Sequence, residues 1–235
     1  DGFQPVPVEM VFARFSQHND VINNLNLLLR EEKVGHASIS AKEWKNEETG
    51  ELRGFAMQAG GMVEGKAWQQ DGFNLSWSFA GRFDRAQVWQ NLDLRVRTPE
   101  SSVVVMWEQG QETPKIEVMR DGRLVMDTKS LLAQAKMTAA LPGLSQLPFL
   151  NGGKLDPSLA PSTAVQLSAR EGVSSLAGQR RKSFQLVISL LGLVEATAHF
   201  TEAGELAKVD LPQDLRLLDP IIFGLDEEDD TQASP

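Results

Sequence analysis

Residues that could carry chemistry are few in this chain, and none completes a known catalytic pattern. Gly60-Gly-Met-Val-Glu-Gly65-Lys66 has the spacing of a phosphate-binding loop, but Ala67 stands where a Ser or Thr hydroxyl would hold Mg²⁺. Glu64 would also put a carboxylate inside the phosphate cradle, and Trp68 leads to an Asp71-Gly72 turn instead of a helix. The three histidines, His18, His36 and His199, lie far apart. Glu195 and His199 share a strand face, but four strand residues separate them by about 13 Å, too far for one metal ion. The histidines therefore read as surface groups or hydrogen-bonded core groups. Gly143-Leu-Ser145-Gln-Leu147 lacks the second glycine of a nucleophile elbow. Arg180-Arg181-Lys182 is the one basic cluster and reads as a solvated turn before a strand. Asn74-Leu-Ser76 fits the glycosylation pattern yet falls within an expected strand.

Five tryptophans, Trp44, Trp68, Trp77, Trp89 and Trp107, raise the question of sugar stacking. Trp77 and Trp107 fall on apolar faces and are expected in the core, whereas Trp89 shares a face with Asn91, Asp93 and Arg95. That makes Trp89 the exposed aromatic candidate.

The elements that must position these groups are mostly strands. Glycine turns at Thr49-Gly50, Asp71-Gly72, Asp121-Gly122 and Ala203-Gly204 separate alternating segments, a hairpin signature. Phe73, Leu75, Trp77 and Phe79 share one face; Leu92, Leu94 and Val96 oppose Asn91, Asp93, Arg95 and Arg97. Residues 103–107 are apolar on both faces, as in a strand covered on both sides. The expected cover is segment 129–150. There Asp127 or Thr128 can cap a helix, Leu131, Leu132, Ala135 and Ala139 recur at helical spacing, and Pro142-Gly143 ends it. The loop beyond carries Leu144, Leu147, Phe149 and Leu150, more apolar surface than an exposed loop bears.

Composition narrows the classes. A net charge of -9 over 235 residues argues against a nucleic-acid partner. The absence of cysteine excludes disulfides, thiolate metal sites and cysteine nucleophiles, and no cofactor is indicated. No apolar run approaches the roughly 20 residues of a spanning helix, so the chain is read as not membrane-spanning. A start at Asp1, without an initiator Met, suits a trimmed signal peptide or a shortened chain. The expected organisation is one β-rich domain over 1–225, with residues 1–7 as an extended arm and 226–235 as an acidic, disordered tail.

In the C-terminal part, Phe184–Leu190, the Leu191-Gly192 break, the turn Thr201-Glu-Ala-Gly-Glu-Leu206 and Val209-Asp-Leu-Pro212 form a three-strand meander. This stretch resembles the closing strands of poorly characterised secreted bacterial domains built as antiparallel β-rolls. More distantly, a curved sheet with a helix packed on it is similar to lipoprotein-carrier folds, and that likeness implies a concave face able to hold acyl chains.

The fold expected is mainly β: a curved antiparallel sheet, β-roll or partial barrel, with one principal helix at about 129–140 packed against it. The expected function is non-enzymatic, an envelope protein of the periplasm or outer membrane. It would bind a lipid or another apolar small molecule between the sheet and a lid of Leu131, Leu132, Ala135, Leu144, Leu147 and Phe149. The alternative is an assembly module that pairs a strand edge, or the 1–7 arm, with an envelope protein partner. A hydrolase stands third.

Overall fold

The computed structural model describes residues 2–18, 23–65, 74–112, 114–133, 165–190, 194–212 and 214–225. Two meanders build it. The first runs through β2 (Asn24–Leu29), β3 (Glu32–Lys45), β4 (Leu52–Glu64), β5 (Asn74–Asp84), β6 (Trp89–Arg97), β7 (Ser101–Glu108), β8 (Lys115–Arg120) and β9 (Arg123–Asp127). The second runs through β10 (Val165–Leu176), β11 (Gln179–Leu190), β12 (Val194–Thr201), β13 (Leu206–Asp210) and β14 (Leu215–Leu218). Pairing of β14 with β2 splices them, and β1 (Gln4–Val6) adds to the free side of β10. Among the described residues the result is one antiparallel sheet of 14 strands that does not close. The mainly β architecture is thus as expected.

Turn chemistry explains much of the register. Asp121 and Gly122, at φ 49° and 72°, form the positive-φ pair that a tight hairpin requires between β8 and β9. The β2–β3 hairpin achieves the same at Arg30 and Glu31, φ 50° and 76°, with no glycine to announce it. The expected turn at Asp71-Gly72 lies outside the described residues. Arg180, Arg181 and Lys182 belong to β11 itself, on its exposed end, and not to a turn.

The helix that fills the roll is not the one expected. Val8, Val11, Phe12 and Phe15 recur at i, i+3, i+4 and i+7, and α1 (Val8–Ser16) buries all four. Glu9 in its first turn and Arg14 in its last complement the helix dipole. The Phe12 ring lies 5.6 Å from Phe55 of β4 and 5.0 Å from Phe83 of β5, while Phe15 lies 5.1 Å from Phe200 of β12. Strands from both meanders therefore wrap one helix. The seam of the roll is marked by Trp89 Nε1 of β6, which donates to the Val165 carbonyl of β10 at 3.1 Å.

At 129–140 the described helix is α2 (Thr128–Ala133), against β8 and β9; the remainder, with the loop to 150, lies outside the described residues. Asp127 is its cap, its Oδ1 accepting from the Ser130 amide and hydroxyl at 2.8 Å each, and these bonds hold its carboxyl below the usual range. A short α3 (Pro220–Phe223), capped by Asp219, ends the described chain, and the tail 226–235 lies beyond it. Within residues 2–7, Gln4–Val6 is a strand that pairs with Ala169–Glu171 of the same chain.

Candidate functional site

Pleating places alternate residues of β3 to β9 on opposite faces, and the register aligns them into rows. On the inner face one row reads Ile39, Ala59, Phe79, Leu94, Val105 and Ile116 across β3 to β8. Its neighbour reads Ala37, Gly61, Trp77, Val96, Val103, Val118 and Met126, reaching β9. Every position in both rows is apolar or glycine. Yet coverage is incomplete: Leu94 is 37% exposed, and Trp77, Phe79, Val96, Val103, Val105 and Ile116 are only half-buried. The α1 rings occupy the end of the roll near Phe55 and Phe83, so the rows form an apolar trough leading away from the packed core.

From β3 to β6 the opposite, outer face is largely polar. Ser38, Ser40, Gln58, Gly60, Ser76, Ser78, Ala80, Asp93, Arg95 and Arg97 line an open cavity of about 700 Å³. Arg95 and Asp93 form a bidentate pair, both bonds at 2.9 Å, which lowers the Asp93 pKa. Two glycines of the phosphate-loop look-alike, Gly60 and Gly61, are mid-strand in β4, and the motif's Lys66 lies outside the described residues.

Trp89 corrects an expectation. It is 1% exposed, among the most buried side chains, and its indole is hydrogen-bonded across the seam. The cause is a β-bulge: Arg82 pairs with Asn91 and Phe83 with Trp89, so Gln90 has no partner and parity inverts. Trp89 is thereby turned to the side of Leu92. Gly81 leaves room for the ring, since a Cβ there would fall 2.6 Å from Trp89 Cζ3. Trp107 is in the core and Trp77 packs against it, as expected. Residues 103–106 are half-buried, which corrects the picture of a strand covered on both faces.

Of the expected lid residues, Leu131 and Leu132 lie in the backbone of α2, and Ala135, Leu144, Leu147 and Phe149 lie outside the described residues. The trough residues were visible strand by strand in the alternation of β5 and β6. Their alignment into rows was not, because register across seven strands is a tertiary property.

The histidines do not converge, and no group of three metal-ligating side chains occurs among the described residues. His18 is half-buried and bonds the Ala203 carbonyl at 2.8 Å. His199 is 8% exposed, with Nε2 2.8 Å from Asp210 Oδ2 and Nδ1 3.4 Å from Gln185 Nε2. Its second nitrogen thus faces an amide and not a hydroxyl nucleophile. Burial is the main cause that pushes its pKa below 6.5, with Lys208 adding repulsion and Asp210 opposing. The unfolded chain therefore takes up a proton that the fold resists. This contribution to stability is complete above about pH 6.5 and is lost as pH falls toward the lower folded value. The urea midpoint is expected to be lower at pH 5.5 than at pH 7.5, and His199→Gln should narrow that difference.

Compared with protein-family models and with curated protein sequences, the chain matches none.

Proposed function

We propose that this protein is a non-enzymatic binder of an apolar ligand, a lipid or acyl chain, in the bacterial cell envelope. The observation that carries this reading is the pair of apolar rows on the inner face, continuous across β3 to β8 and only partly covered. A contiguous apolar face left half-buried in this way is the kind of surface that marks a binding site. Six strands at about 4.8 Å spacing span roughly 24 Å, room for a long acyl chain laid across them. An extracytoplasmic location is part of the same proposal, since a β-roll with an acyl-holding face suits transfer between membranes.

Assembly through a strand edge is the second reading, and the edges weigh against it. β1 is three residues long and contains Pro5, while β9 has five residues and a bulge near its centre. Short, proline-bearing and bulged edges are those that resist strand addition.

The test is a fluorescent fatty acid titrated into the purified protein, with mass spectrometry of an organic extract. Saturable uptake is expected, weakened at least tenfold by Leu94→Glu, which places a carboxylate in the trough at a position exposed enough to tolerate it. No uptake and no extractable lipid, with Leu94→Glu folded like the wild type, would sink the proposal.

A further inference from the structure

We propose that His199 and Gln185 form a proton-operated latch that holds the N-terminal arm, and that acidification releases the arm from β10. The idea stands apart from the trough, since these groups lie on the opposite face of β10 to β13. Gln185 is the centre. Its Oε1 accepts from Arg170 Nε at 2.6 Å, and its Nε2 faces His199 Nδ1 at 3.4 Å. A donor amide opposite Nδ1 makes that nitrogen the acceptor, so the neutral ring carries its proton on Nε2 and donates to Asp210 Oδ2. Lys208 Nζ holds the same carboxylate at 2.9 Å.

Arg170, fixed by Gln185, lies over the Phe3 ring at 5.1 Å. Phe3 in turn sits on Gly172, where a Cβ would fall 2.6 Å from its ring. Beyond these contacts the described part of the arm has the three-residue pairing of Gln4–Val6 with β10, where Pro5 supplies no amide, and the packing of Val6 on the edge of the core. Arg170 therefore secures the outer end of the arm, at Phe3.

A proton arriving at Nδ1 turns the acceptor into a donor facing a donor. Rotating the Gln185 amide by half a turn satisfies His199 but points Nε2 at Arg170 Nε, again donor to donor. No orientation of one neutral amide serves both. The imidazolium also repels the Arg170 guanidinium. Around His199 the charged groups are Arg170 of β10, Glu195 on its own strand, Lys208 and Asp210 of β13 and, beyond them, Arg216 of β14, which pairs with Glu31. β11 contributes no charge opposite it, only Gln185 flanked by Ser183 and Val187 on that face. Asp210 is already shared with Lys208, so its compensation is incomplete. Release of β1 would free the edge of β10 at Ala169–Glu171.

Because the chain has no cysteine, Gly2→Cys gives one labelling point, and that position has open space around it. A nitroxide there reports arm mobility by its spectral width, with far-ultraviolet circular dichroism checking that the sheet stays folded. Between pH 7.5 and pH 5 the ratio of mobile to immobile signal is expected to rise at least tenfold. His199→Gln should remove that response. Gln185→Glu should keep the arm held at both pH values, because a carboxylate accepts from Arg170 and from protonated His199 together. It serves as the second variant if His199→Gln folds poorly. An unchanged spectrum across this range while His199 titrates by NMR would overturn the latch, as would an equal acid response in either variant.

Discussion

Phe12→Ala is expected to lower the free energy of unfolding by about 3–5 kcal/mol, the range for truncating a buried phenylalanine. Phe12 is 2% exposed and joins rings from β4 and β5 to a helix that also reaches β12 through Phe15. Its removal opens a cavity where the two meanders meet, and close-packed rings on three sides limit collapse into it. The measurement is the urea midpoint, read with tryptophan fluorescence and circular dichroism. Coincident transitions would show that the roll unfolds as one unit, and a loss below about 1 kcal/mol would mean that α1 is peripheral. Glu9, paired with Arg85 at 3.1 Å on the surface of the same helix, provides the contrast. Glu9→Gln should change stability by no more than about 1 kcal/mol, because exposed ion pairs contribute little.

What the sequence disclosed and what it hid follow from the range of each interaction. Alternation is written locally, so the inward residues of β5, β11 and β12 were readable: Trp77 and Phe79, Phe184 and Leu186, Ala196, Ala198 and Phe200. Asp127 as a cap was readable for the same reason. The β2–β3 hairpin was hidden because Arg30 and Glu31 adopt positive φ without glycine, held by the pairing of Leu28 and Leu29 with Lys33 and Glu32. The helix α1 was hidden by its length, nine residues following Pro5 and Pro7, although Val8, Val11, Phe12 and Phe15 carry a full apolar stripe. The apolar trough needed register, which no single strand encodes. The latch needed side chains from four strands, Arg170, Gln185, His199 and Asp210, at spacings that local pattern cannot bring together.

The bulge at Gln90 shows how one residue can invert an inference, and it sets the second large effect. Had β6 kept strict alternation, Trp89 would face solvent with Asn91 and Asp93, and Trp89→Ala would cost no more than about 0.5 kcal/mol. Buried at the seam instead, with Phe83 at 5.0 Å and Phe79 at 6.1 Å, it is expected to cost about 3–5 kcal/mol. Trp89→Phe separates packing from the seam hydrogen bond. It keeps a ring beside Gly81 but leaves the Val165 carbonyl without its donor, for a loss of about 1–3 kcal/mol. The two large substitutions should not add. Phe12 and Trp89 both pack on Phe83, at 5.0 Å each, so a ring freed on one side can relax into the space left on the other. The double variant Phe12→Ala with Trp89→Ala is expected to fall short of the sum of the single losses by about 0.5–3 kcal/mol. Strict additivity in the urea midpoints would mean that plug helix and seam are energetically separate, and that the roll is held shut at β6 and β10 independently of what fills it.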